Sequence, residues 1–163
     1  MSLLDDITGA NARFAASFGK GDLPAEPARR FAVVTCMDAR IDVHEALGLR
    51  LGDAHVIRNA GGVATDDVAR SLVISSAVLG TEAALVVGHT DCGMTRFSNY
   101  ELRQKLRDRG IDSGELDFLP FPFVDAAVID SVRRLRESRL FPPGFAFHGL
   151  VYDVRTGRVR VVA

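Results

Sequence analysis

The feature that most constrains this chain is a set of short runs with apolar centres separated by stretches of helical character. Phe31 to Cys36 reads FAVVTC, Ala54 to Asn59 reads AHVIRN and Glu82 to Gly88 reads EAALVVG. FAVVTC, by its β-branched content and length, and EAALVVG read as buried strands, and AHVIRN as a further strand between them. Strands buried on both faces belong to parallel sheets covered by helices on either side.

Helix signals fill the gaps between them. Asp42, with Glu45 three residues on, opens a short helix that stops near Gly48. Thr65-Asp66-Asp67 caps a helix running to about Leu79, with Gly80 as its stop. A charged helix falls within Thr95 to Arg109, and another starts after Pro122 and runs to about Ser138. Phe145 to Val154 and Arg158 to Val162 read as strands joined at Thr156-Gly157, a hairpin signal. The predicted fold is therefore α/β: a mostly parallel sheet of about four parallel strands plus one antiparallel C-terminal edge strand, flanked by helices. Ahead of it lies a distinct segment. Leu4, Ile7, Asn11, Phe14 and Phe18 fall near helical spacing, and Gly19 to Pro27 is rich in Gly, Pro and charge. Residues 1–30 are thus predicted as an N-terminal helical arm and linker, and 31–163 as the α/β domain. The arm's apolar stripe must cover either this core or a second subunit.

A chain of 163 residues is large enough to bury a core without disulfide staples. Its net charge of -1 gives no general attraction to nucleic acid or anionic membranes, so partners are sought at local sites. No stretch reaches the roughly 20 apolar residues that span a bilayer. The opening segment holds Asp5 and Asp6 and lacks the basic start and apolar run of a signal peptide, so a cytoplasmic location is expected. There the two cysteines, Cys36 and Cys92, are expected to serve a metal or reactive thiol rather than a bridge.

In doubly wound sheets ligands gather beyond the carboxyl ends of the strands, where the winding direction reverses, commonly between the first and third strands. Cys36 ends the first predicted strand, and His89 and Cys92 follow the third. Two thiolates and an imidazole suit tetrahedral zinc, and three protein ligands leave a fourth position open for chemistry. Two thiolates also load the metal with charge, so activity should rise toward alkaline pH. Asp38 and Arg40 lie close behind Cys36. Arg40 is expected to hold Asp38 in a bidentate fork, leaving that carboxylate to orient the nucleophile or to swing onto the metal as a fourth ligand that closes the site. A plain loop salt bridge is the bland alternative. Asp91 is expected to cap the following helix, with a bond to the ligating imidazole as the other option. His44, His55 and His148 read as surface or core residues, with proton relay as a lesser role.

Cys36-x-Asp38-x-Arg40 and His89-x-x-Cys92, with Arg58-Asn59-Ala60-Gly61-Gly62 between them, resemble the β-class carbonic anhydrases, particularly their shorter bacterial and archaeal members. The resemblance runs from about Phe31 to Met94. It implies zinc, one per chain, on Cys36, His89 and Cys92, Asp38 and Arg40 as a catalytic dyad, and the backbone near Gly62 as a contact for bicarbonate. The reaction implied is reversible hydration of carbon dioxide to bicarbonate and a proton, by water that zinc has made nucleophilic. Dimers or multiples of dimers, with the N-terminal arm embracing the partner, are implied too. Hydrolysis of carbonyl sulfide or carbon disulfide, and a non-catalytic zinc module, are the alternative functions. The chain contains no Trp, so the Trp-containing bicarbonate inhibition site of some members is absent in that form.

Overall fold

The computed structural model describes residues 2–163. Helix α1 covers Leu3–Ala15, followed by β1 (Phe31–Cys36), α2 (Val43–Leu47), β2 (Ala54–Asn59), α3 (Asp66–Ala77), β3 (Ala83–His89), α4 (Asn99–Arg107), α5 (Val124–Glu137), β4 (Ala146–Tyr152) and β5 (Val159–Val161). Single 3-10 turns at Ala60–Gly62 and Gly93–Thr95 follow β2 and β3.

The five strands form one sheet in the order β2-β1-β3-β4-β5. β1 pairs in parallel with β2 on one side and β3 on the other, so the winding reverses at β1. β4 continues the parallel sheet, and β5 closes it antiparallel over Leu150 to Tyr152. The predicted fold class holds. The last two strands are shorter than predicted, because Asp153 accepts backbone N–H bonds from Arg155 and Thr156 and turns the chain early.

The helix signals act as read. Thr65 accepts from the Val68 amide, and Asp42 accepts from both His44 and Glu45. Packing then builds two cores, one on each face of the sheet. Ala32, Val34, Ala84 and Val86 meet Val68 and Leu72 of α3 and Val128, Val132 and Leu135 of α5. On the other face Val33, Val87, Ile41, Val43 and Leu49 gather with Cys36, Cys92 and Met94. β1 is buried along almost its whole length, so its C-terminal residue is delivered into the interior. Among the described residues no helix is long and apolar enough to cross a membrane.

Helix α1 differs from all this. Ser2 and Asp5 form a reciprocal capping box at its start, yet no residue in it is buried. Leu4 and Phe14 are 70% and 60% exposed. Among the described residues the predicted stripe covers nothing. His55 ties the linker to the sheet, bonding Ser75 through one ring nitrogen (2.7 Å) and the Ala25 carbonyl through the other (3.1 Å).

Candidate metal centre

The carboxyl ends of β1 and β3 bring together residues more than fifty apart in sequence. One ligand atom each from Cys36, His89 and Cys92 lies within 4.8 Å of the other two, and all three residues are buried. Tetrahedral zinc with bonds of about 2.0–2.3 Å sets its ligand atoms about 3.5–3.8 Å apart, which this span brackets.

The imidazole makes the strongest test of whether a cation fits. His89 is 0% exposed, and its Nδ1 lies 2.9 Å from the Thr90 carbonyl, to which Nδ1–H donates. That bond leaves Nε2 as a bare lone pair, buried and without any hydrogen-bond partner among the described residues. A buried acceptor with no donor is costly. Here it faces two sulfurs, and a cation is what satisfies it. Burial also pushes the His89 pKa below its usual value, which favours the neutral ligating form. Burial pushes the Cys92 thiol up to about 11, with Cys36 beside it adding to the shift. Such a thiol ionises near neutrality only when a positive charge compensates it. The donor set fits zinc.

The loop after β1 is held from beneath by Arg58. Its guanidinium donates to the carbonyls of Cys36 (2.9 Å), Ile41 (3.1 Å) and Asp38 (2.6 Å). Asn59 closes the neighbouring turn through paired bonds with Val63, and the Gly61 amide donates to Cys36 Sγ at 3.4 Å. Gly62 has φ +65°, and a Cβ there would stand 2.8 Å from the Cys36 nitrogen, so only glycine lets this turn lie against the ligand strand. The Arg-Asn-Ala-Gly-Gly stretch is thus the support of the first sulfur. Sequence reading recognised the stretch but assigned no role to Arg58, whose partners are set by the fold.

Asp38 and Arg40 form the fork expected of them. Arg40 Nε donates to Asp38 Oδ1 at 2.9 Å and Nη2 to Oδ2 at 2.7 Å. Arg40 holds the Asp38 carboxyl well below the usual carboxylate range, and Asp38 raises the Arg40 pKa in return. Asp38 Oδ2 stands 3.8 Å from His89 Nε2, beside the ligand atoms. Asp91 departs from expectation. It caps no helix and does not touch the imidazole; instead its carboxylate accepts from Arg40 Nη1 at 2.9 Å and pairs with Arg96 on its other oxygen. Of the histidines outside the cluster, His44 and His148 are exposed and His55 belongs to the linker contact.

A doubly wound sheet with a buried Cys-His-Cys set at its winding reversal, and a carboxylate held beside it, defines a metal-dependent enzyme of the α/β class. Residues 31–114 match the family model described as carbonic anhydrase. The chain is 41% identical over 165 residues to β-carbonic anhydrase 1 of Mycobacterium tuberculosis, with 99% of each chain covered. A carbonic anhydrase structure from Streptococcus mutans superposes with a TM-score of 0.94 at 48% identity, covering 100% of this chain and 99% of that one. A carbon disulfide hydrolase of Saccharolobus solfataricus is 35% identical over 156 residues, covering 81% of this chain and 76% of its own. The chain belongs to the β-carbonic anhydrase family.

Proposed function

We propose that this chain is a zinc-dependent carbonic anhydrase that interconverts carbon dioxide with bicarbonate and a proton. One observation carries the reading: the candidate ligand atoms of Cys36, His89 and Cys92 converge, while Nε2 of the buried imidazole has no hydrogen-bond partner among the described residues. Zinc held by these residues supplies the Lewis acidity that makes water a nucleophile near neutral pH.

The side chains supply orientation. Asp38, clasped by Arg40, presents its carboxylate as a hydrogen-bond acceptor beside the ligand atoms, where it aims a lone pair of the attacking water at carbon. The same clasp keeps Asp38 from swinging inward as a fourth ligand and closing the site. Gly62, packed against the end of β1, offers backbone rather than side chain to bicarbonate. Residues 31–163 form the catalytic domain and 1–30 an arm whose exposed Leu4, Ile7 and Phe14 cover a second copy in a homodimer. The enzyme works in the cytoplasm.

Carbon disulfide or carbonyl sulfide hydrolysis is the competing reading, because relatives sharing the fold include carbon disulfide hydrolases. Higher sequence identity and closer superposition favour the carbonic anhydrases. Stopped-flow measurement on the zinc-loaded protein with each substrate separates the two. Fast carbon dioxide hydration is expected, and negligible hydration with rapid sulfide release would reverse the assignment.

A further inference from the structure

Arg40 presents a difficulty that the fork with Asp38 does not resolve. Its side chain is 44% exposed, and an arginine on an exposed loop held by one carboxylate has little to keep it in a single orientation. The structure shows a second hold. Arg40 Nη1 donates to Asp91 Oδ2 at 2.9 Å, and Nη2, already bonded to Asp38, also donates to the Asp91 carbonyl at 3.1 Å. The planar guanidinium is therefore gripped along two edges, one by the loop after β1 and one by the loop after β3. Arg96 occupies the remaining Asp91 oxygen.

The backbone is shaped to this end. Asp91 has φ +56°, a left-handed conformation that side-chain-bearing residues seldom adopt and that Asp tolerates better than most. In that conformation both its carbonyl and its carboxylate reach Arg40, across 51 residues of sequence.

We propose that Asp91, backed by Arg96, is a positioning residue that fixes Arg40 and through it the orientation of the Asp38 carboxylate. This rests on the roles given to Asp38 and Arg40 above. Asp91 sits between two metal-ligand residues yet is no ligand itself, so its loss misaligns the carboxylate without releasing the metal.

The test uses Asp91→Gly, which removes the side chain and is at ease at positive φ, and Asp91→Asn, which keeps the left-handed turn and one acceptor oxygen. Both should retain one zinc per chain. In the zinc-loaded enzyme kcat should fall by about 10- to 100-fold for Gly, less for Asn, with KM little changed. In an Arg40→Ala background Asp91→Gly should cost nothing further, because the clamp then has nothing to hold. A readout independent of turnover is the Arg40 guanidinium NMR signal, assigned by its loss in Arg40→Ala. Its Nη protons should be separately resolved in the parent protein and coalesce in Asp91→Gly. Losses that add fully in the double variant, or an Arg40 signal indifferent to Asp91, would overturn the proposal. If the parent protein hydrates no carbon dioxide at all, the functional reading fails, and the Arg40 signal alone then decides the clamp.

Discussion

The carboxyl edge of the sheet and helix α1 both announce themselves plainly in sequence, yet only one is finished within the chain. At the sheet edge nearly every polar group has a partner: Arg58 holds three carbonyls, Asn59 closes a turn on Val63, and Arg40 bridges two carboxylates. The conspicuous exception, His89 Nε2, points at two sulfurs. Helix α1 is capped as well as any, but its Leu4, Ile7 and Phe14 stay in water. The contrast separates an unpaired group buried inside a finished site, which calls for a ligand, from an uncovered apolar face on a capped helix, which the proposed homodimer would cover.

Several substitutions would break or sharpen that contrast, and the largest effect belongs at the sheet edge. Cys92→Ser removes a soft ligand from a site already committed to three; zinc content by mass spectrometry should fall to trace and hydration to background, while far-ultraviolet circular dichroism stays unchanged. Next comes Asp38→Ala, which should keep zinc and lose about 10²- to 10⁴-fold in kcat/KM. Full retention of rate there would remove the carboxylate from the mechanism.

Acidity gives a graded test. Because burial raises the Cys92 thiol to about 11, the metal-free protein carries that proton at neutral pH and must release it on binding. Zinc affinity should therefore weaken as pH falls, by about tenfold per pH unit for this proton alone. Competition titrations against a chelator of known proton affinity would show it, and a flat profile would mean the thiol is already ionised. Arg58→Met should leave the metal in place but lower stability by about 1–2 kcal/mol, read from the denaturant midpoint, as the loop after β1 loses three charge-assisted bonds. The smallest change at the metal centre should come from Ile7→Asp with Phe14→Asp. Sedimentation should shift from dimer to monomer with zinc content unaltered; a parent protein that already sediments as a monomer would show the stripe has no partner.

The two regions also differ in how far sequence reading reached. Strands β1 and β3 were legible because short runs rich in Val, Ala and Leu are buried in the sheet, whereas β2, an edge strand carrying His55, Arg58 and Asn59, showed only a short Val-Ile centre. The caps at Asp42 and Thr65 were legible because their bonds span three residues. The clustering of Cys36, His89 and Cys92 was legible because their donor chemistry is distinctive and strand order makes the ends of β1 and β3 neighbours. Arg58 escaped because its partners lie 17 to 22 residues away and are backbone carbonyls, which leave no trace in residue type. Asp91 was misread as a cap for a related reason. Its pairing with Arg40 goes with a left-handed φ, and neither the dihedral nor the distant arginine is visible in the local pattern.

The most direct measurement is the metal content of the purified, fully reduced protein, joined to zinc reconstitution of chelator-treated samples. One zinc per chain, regained with both thiols reduced at the start, is the predicted result. Reduced protein that holds no stoichiometric metal and takes none up would contradict the convergence of Cys36, His89 and Cys92 as a cation site, and the carbon dioxide chemistry would fall with it.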